Sequence, residues 1–365
     1  MKRSSTTVRL AAVAAASALV LAACGSSDSE GTDDKKTDAA PAAKGDGTLT
    51  IGSLLPQTGS LAFLGPPEIA GVNLAIKDIN AAGGFNGKDV VAVEADSGDT
   101  DSGIAPAETD KLLKAGADVI VGAASSGVSM TVIDKILSAG TVMYSPANTS
   151  TDFDNGKFAE PDLYFRTAPS DILQGAVLAN LLLEDGRQNV AILARQDAYG
   201  QTLANEVEKN LTDAGSTVAA KVLYSEKNGP GDSQITEIAN AKADALVLIA
   251  FDETTTIIPK LIQAGAGPKD VPAYFVDGNT ANYDKDATAS LPDGTLEGTK
   301  GTIPGAEAKD DFKKRLLEVD PKLKDYTYSA EAYDAVVTSA LAALVAGDDS
   351  GAAIAAALPD VTKGG

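Results

Sequence analysis

The stretch 116–150, GADVIVGAASSGVSMTVIDKILSAGTVMYSPANTS, constrains the fold more than any other part of the chain. It reads as strand, Ser/Gly turn, helix, strand and polar turn. Residues 119–121 form a short apolar run, of the kind a strand buried on both faces needs. Ser125-Ser126-Gly127 then opens a helix to about Ala139, and a second strand, 142–145, ends in Pro146-Ala147-Asn148-Thr149. As parallel neighbours, the two strands send both polar turns to their carboxyl ends, where open α/β sheets bind ligands. The first turn offers hydroxyls and free helix N-terminal amides, which suit a small anion. Simple helix capping by Ser125 or Ser126, with Asn148 only shaping a turn, explains the same residues.

The same alternation extends on both sides. Strand 49–54, a Gly/Pro-rich loop and a helix to about Ala82 come first, with Ile69, Val72, Ile76 and Ile79 on one helix face. Strand 89–95 and helix 106–115 follow. After a short extended crossover at 163–167, a second run begins. It comprises helix 171–184, strand 189–194, helix 199–214, strand 217–224, helix 232–241, strand 245–250, helix 252–264 and strand 273–276. Alternation of this kind gives parallel sheets with helices on both faces, and its length asks for two lobes. Residues 296–303 read as a return crossover. Helices 306–318 and 328–346 then pack on the first lobe, the latter through Tyr333, Val337, Leu341 and Leu344, and 352–358 adds a short helix.

The amino end reads as export machinery. Lys2, Arg3 and Arg9 precede an apolar core at 10–22, too short to span a bilayer. Leu21-Ala22-Ala23-Cys24-Gly25 resembles the lipobox of bacterial lipoproteins, which implies cleavage before Cys24 and a lipid on its thiol. Cys24 is the only cysteine, so the mature fold has no disulfide. Residues 25–47 lack large apolar side chains and read as a tether with a reach of roughly 25–30 Å. Beyond the signal, no apolar run approaches the length of a membrane span.

Chemistry is excluded more sharply than it is assigned. The chain has no histidine, which removes Ser-His-Asp and Cys-His hydrolysis and the usual zinc sites. Residues 83–88 are one position short of a phosphate loop, and Asp89 stands where Ser or Thr is required. Asp96, Asp99 and Asp101 lack the spacing of a calcium loop and read as a solvated turn. With a formal charge of −21, nucleic acid is not an expected partner. No cofactor and no metal are expected.

Six turns face the cleft if both sheets point their carboxyl ends inward. They are 61–65, 125–127 and 147–149 from the first lobe, and 197–200, 251–253 and 277–279 from the second. They combine hydroxyls, helix N-termini, apolar surface and an acid, as a zwitterionic amino acid requires. Each has a plainer explanation: Tyr199 packing under its helix, Phe251 as core, Asp277 as a turn residue.

Over residues 48–360 the chain resembles the branched-chain (Leu/Ile/Val) amino-acid binding proteins of ABC importers, with the type I periplasmic-binding-protein fold. The resemblance rests on Ile51-Gly52, Thr58-Gly59, Ile79-Asn80-Ala81-Ala82-Gly83-Gly84 with Gly87, Ser125-Ser126, Ser145-Pro146-Ala147, Phe165-Arg166-Thr167, Tyr199-Gly200 and Asp277-Gly278. It implies two Rossmann-like α/β lobes with parallel sheets joined by a hinge. The expected division is signal 1–23, tether 24–47, first lobe 48–166, second lobe 167–297, and first-lobe return 298–365. Terminal strands usual in the family are expected to be missing.

The resemblance also implies roles. Ser126 and Thr149 would bond the ligand carboxylate, the Ala147 carbonyl would accept from the ammonium, and Asp277 would be the ammonium-binding acid. Tyr199 falls on a cleft aromatic. Phe251 falls where some members have Tyr, and Leu64 falls where some have another Tyr, so the side-chain pocket differs. The implied protein is a lipid-anchored binding component on the outer face of the cell membrane, handing an amino acid to a permease. Binding of amides, urea or another polar solute, or a sensory role, are the alternatives.

Overall fold

The computed structural model describes residues 44–158, 162–280, 283, 291–305 and 307–363. The signal, Cys24 and nearly all of the tether lie outside the described residues.

The βα alternation folds into two parallel five-stranded sheets. The first holds β1 (Thr50–Leu55), β2 (Val91–Asp96), β3 (Val119–Gly122), β4 (Val142–Ser145) and β5 (Tyr164–Arg166), in the order β2-β1-β3-β4-β5. The second holds β6 (Asn189–Arg195), β7 (Thr217–Tyr224), β8 (Ala245–Ile249), β9 (Ala273–Phe275) and β10 (Lys300–Gly301), in the order β10-β9-β8-β6-β7. Read from opposite edges, the two orders are the same. In the register Ile51 faces Val119 and Leu54 faces Gly122, so the turns after β1 and β3 emerge side by side. The turns after β6 and β8 do likewise, with Ala194 facing Ile249.

Helices cover both faces. The central strands β3 and β8 are buried throughout, which explains why their sequences are continuous apolar runs instead of alternating ones. Burial of one such side chain, Ile120 for example, contributes about 1.5–3 kcal/mol. On α1 (Gly65–Ala81), Val72 and Ile76 enter the core, with Ile69 and Ile79 partly buried against it. Helices α2 (Ala105–Lys114) and α3 (Ser126–Ser138) complete the first run. The second sheet carries α4 (Asp171–Glu184), α5 (Ala198–Asp213), α6 (Asp232–Asn240) and α7 (Thr254–Gln263). The chain leaves the first sheet after Arg166. The stretch 296–303 contributes the edge strand β10 to the second sheet before the chain goes back.

Three helices then return: α8 (Asp310–Val319), α9 (Ser329–Ala346) and α10 (Gly351–Thr362). The buried face of α9 differs in part from the expected one: Tyr333 and Val337 are partly buried against the core, as expected. Leu341 and Leu344 are exposed, and Ala332, Ala335, Val336, Ser339, Ala340, Ala342 and Ala343 are buried. Small side chains win because α1 and α9 approach too closely for leucine between them. A Cβ on Gly71 would lie 2.2 Å from the Ser329 carbonyl oxygen. A second correction concerns membrane spans: α9 is long and apolar enough to cross a bilayer by length and composition, contrary to expectation. Its alanine face belongs to the first lobe's core.

Candidate functional site

The turns at the strand ends are tied down by their own polar side chains. After β3 and β4, the Ser145 hydroxyl donates to the Ala123 carbonyl (2.7 Å) and accepts from the Asn148 amide (2.9 Å). The Asn148 side chain donates to the carbonyls of Ala123 (3.1 Å) and Ala124 (2.9 Å) and accepts from the Tyr164 hydroxyl (3.1 Å). Asn148 thus shapes the turn. Ser125 caps α3, its Oγ accepting from the Val128 amide (3.3 Å), which leaves the Ser126 and Gly127 amides without an intrahelical acceptor.

On the second lobe, Asp197 caps α5 through the Gly200 amide (2.7 Å) and so sets Tyr199 in the first turn. Asn279 fixes the turn after β9: its Oδ1 accepts from the Val276 amide (2.8 Å), and its Nδ2 donates to the Leu248 carbonyl (3.0 Å). Gly278 is required in that turn. A Cβ there would stand 2.7 Å from the Phe251 ring and 2.8 Å from the Ala250 carbonyl.

These turns converge on one cleft lined by Leu61, Leu64, Ala124, Ser125, Ser126, Ala147, Tyr199, Phe251, Asp277, Gly278 and Tyr328. The structure therefore brings together Leu64, Ser126, Ala147, Tyr199, Phe251 and Asp277 from the expected set. Thr149 stands apart. It is buried, but its carbonyl accepts the Asp171 amide (2.7 Å) at the head of α4. The space left between the lining residues is about 10 Å³, room for roughly one water, so an amino acid enters only if the lobes part.

Asp277 is the centre of the cleft's polar network. Its Oδ1 accepts from the Tyr199 hydroxyl (2.7 Å) and from Gln174 Nε2 (3.0 Å), and its Oδ2 accepts from the Tyr328 hydroxyl (2.8 Å). Burial, reinforced by the Asp277 charge, pushes both phenols well above their ordinary range, so they remain donors at neutral pH. A carboxylate has about four acceptor positions, and three are taken, which leaves one on Oδ2. The Tyr199 and Phe251 rings stack at 5.5 Å and 21° to form an aromatic wall.

Tyr328 and Gln174 were missed from sequence. Tyr328 sits at the entry to α9 with φ 59° and is brought in by the chain's return from the second lobe, a relation that no local pattern carries. Gln174 is a polar residue among the apolar positions that follow Asp171 in α4. It also donates to the Thr302 carbonyl (3.2 Å), at the other strand between the lobes. Among the described residues, no group of three or more acids, cysteines or histidines is arranged to hold a metal.

Two lobes of identical strand order, with a polar and aromatic cleft between their carboxyl ends, define a two-lobed solute-binding protein. The chain belongs to the periplasmic binding protein family, whose model matches residues 48–363. It is similar to the Leu/Ile/Val-binding protein homolog 2 of Brucella abortus, at 28% identity over 78% of this chain and 74% of that one. It is similar as well to the chemotactic signal transduction system substrate-binding protein BasB of Halobacterium salinarum, at 27% identity over 87% of this chain and 75% of that one. Among solved structures, the branched-chain amino acid transporter substrate-binding protein LivJ of Streptococcus pneumoniae, in complex with isoleucine, shares the fold. The TM-score is 0.69 at 22% identity, over 85% of this chain and 87% of that one.

Proposed function

We propose that the protein captures an aliphatic amino acid of the branched-chain type outside the cytoplasm and delivers it to the permease of an ABC importer. The observation that carries this reading is a carboxylate with one open acceptor position, Asp277, set across the cleft from the amide-rich head of α3. The ammonium pairs with Asp277 and the Ala147 carbonyl. The carboxylate takes the Ser126 hydroxyl and the first-turn amides of α3, with Thr149 supporting that turn. Leu64, Tyr199 and Phe251 make the apolar wall. Residues 48–166 with 298–365 act as one closing lobe and 167–297 as the other. Lipid on Cys24 holds the body at the membrane. No step of this cycle turns a substrate over. The relatives named for Leu, Ile and Val, and the isoleucine complex of the LivJ neighbour, support this reading.

Closure lowers the free energy only by as much as the ligand prefers the shut form. The test is a calorimetric titration of the purified protein, unfolded and refolded to strip bound ligand, with L-leucine, L-isoleucine, L-valine and L-alanine. Saturable binding is expected. Asp277→Asn, which keeps the shape and removes the charge, is expected to weaken binding roughly 10–100-fold, the size of a lost charged hydrogen bond. Unchanged affinity in the variant would remove Asp277 from the site, and no binding by any of the four would reject the ligand class. The similarity to BasB supports a second reading, in which the same capture informs a sensory partner instead of a permease.

A further inference from the structure

The Asp96–Asp101 turn is not accounted for by the cleft. Asp96 and Asp99 are consumed in tying loops together. Asp96 accepts from the amides of Gln57 (2.9 Å) and Gly98 (2.8 Å) and from the Thr58 hydroxyl (2.6 Å). Asp99 accepts from the amides of Ser60 (3.1 Å) and Ser102 (2.8 Å). Ser60 belongs to the loop that carries Leu61 and Leu64, and its carbonyl accepts from the Asp252 amide of the other lobe (3.4 Å). One residue, Ser60, thus joins Asp99 to the second lobe at the mouth of the shut cleft.

Behind that mouth lies Arg195, the last residue of β6, only 3% exposed. Its Nε donates to Asp197 (2.9 Å), its Nη1 to Glu253 (2.6 Å), and its Nη2 stands 3.7 Å from Glu226. Its guanidinium lies 3.8 Å from the Phe251 ring centre, so Arg195, Phe251 and Tyr199 form a continuous stack that ends on Asp277. Glu253, held by Arg195, follows Asp252, whose amide meets the Ser60 carbonyl, so the Arg195 cluster is joined to the Asp99 loop across the cleft. Burial pushes the Asp99 carboxyl up, but bonds from Ser102 and Ser60 and the Arg195 charge outweigh it and hold it low.

We propose that Arg195 is a positioning residue for ligand capture, linking the shut state of the cleft to the aromatic wall by stacking on Phe251 while it holds Glu253 beside the Asp252–Ser60 contact with the opposite lobe. It lines no part of the cleft itself, so its effect passes through Phe251 and Tyr199. Closing brings Ser60, held by Asp99, up to the Asp252 amide beside Glu253, and a fixed guanidinium keeps both rings in register with Asp277. The inference rests on the two-lobed capture proposed above.

The test is a double-variant cycle on Asp99→Asn and Arg195→Met, with L-leucine affinity and dissociation rate as one readout. The second readout is independent of any ligand: the distance between spin labels at Lys114→Cys and Lys209→Cys, in a Cys24→Ala background, by pulsed electron resonance. Each single variant is expected to weaken leucine binding about 5–20-fold, mainly through faster dissociation, and the pair no more than Arg195→Met alone. Arg195→Lys, which keeps the charge but not the flat stack, is expected to retain the Asp99 effect and recover only part of the affinity. In the absence of ligand, Asp99→Asn is expected to shift the distances to longer values. Independent, multiplying effects of the two variants, or an unchanged distance distribution in Asp99→Asn, would overturn the proposal. Should leucine bind nowhere, the distances still decide it. Should Arg195→Met fail to fold because Asp197 and Glu253 lose their partner, Arg195→Lys takes its place in the cycle with Asp99→Asn, and independent, multiplying effects of that pair would overturn the proposal.

Discussion

Asp171 opens α4 with its carboxyl buried and the Thr202 hydroxyl donating to Oδ2 at 2.6 Å. Burial pushes this acid up to about 7, opposed by bonds from Thr202 and Thr149 and by the Arg166 charge, and aided by the Asp277 charge. The folded chain therefore holds the proton more tightly than the unfolded one. The associated stability is fully present below the ordinary carboxylate range and is lost as pH rises through about 7. Asp171→Asn keeps an acceptor for Thr202 and removes the titration. Its thermal midpoint is expected to gain on the parent protein at pH 8 relative to pH 5, and parallel profiles would count against the assignment. Glu68, wholly buried with both oxygens unpartnered, is raised in the same direction by burial and Glu331, so the variant removes only part of the slope. At this scale the sequence was informative where chemistry recurs at strand ends: Asp277, Ser126 and Tyr199 stood out because their turns did. It was uninformative for Tyr328, whose hydroxyl reaches Asp277 from a distant return segment, and it could not reveal that Thr149 turns toward Asp171.

Elements were legible wherever period and punctuation agreed. Strands β4 and β7 and helix α4 fall where the pattern puts them, because apolar runs there are bounded by Gly, Ser and Asp signals. The return helices were read less well. Helix α8 starts at Asp310 instead of 306, and α10 runs on through Pro359 to Thr362. Strand β10 is two residues long, too short to carry any periodicity. On α9, Tyr333 and Val337 pack as expected, but Leu341 and Leu344 were misjudged because leucines are conspicuous in sequence, yet the alanines are what fit against α1. Gly71→Ala tests that contact. The added methyl would meet the Ser329 carbonyl and force the helices apart, costing about 1–3 kcal/mol. A clear fall in thermal midpoint is expected, and an unchanged midpoint would mean that the α1–α9 approach is looser than described.

At the scale of the whole molecule, two sheets with the same strand order place their switch points against one another, which puts six turns around one cleft. The Thr167 hydroxyl, on one strand between the lobes, donates to the Glu331 carbonyl (3.0 Å), and Gln174 reaches Thr302 on the other. Both crossovers are therefore bonded to elements that also feed the cleft, so opening and ligand contact are mechanically joined. The cleft as it stands holds little more than a water, and capture requires the lobes to part and close again around the ligand. The most direct measurement is a crystal structure of the refolded protein grown with L-isoleucine. The expected result is one isoleucine between the lobes, its ammonium within about 3 Å of Asp277 Oδ2 and its carboxylate at the head of α3. Isoleucine bound outside the cleft, or inside it with the ammonium away from Asp277, would contradict the proposed capture site.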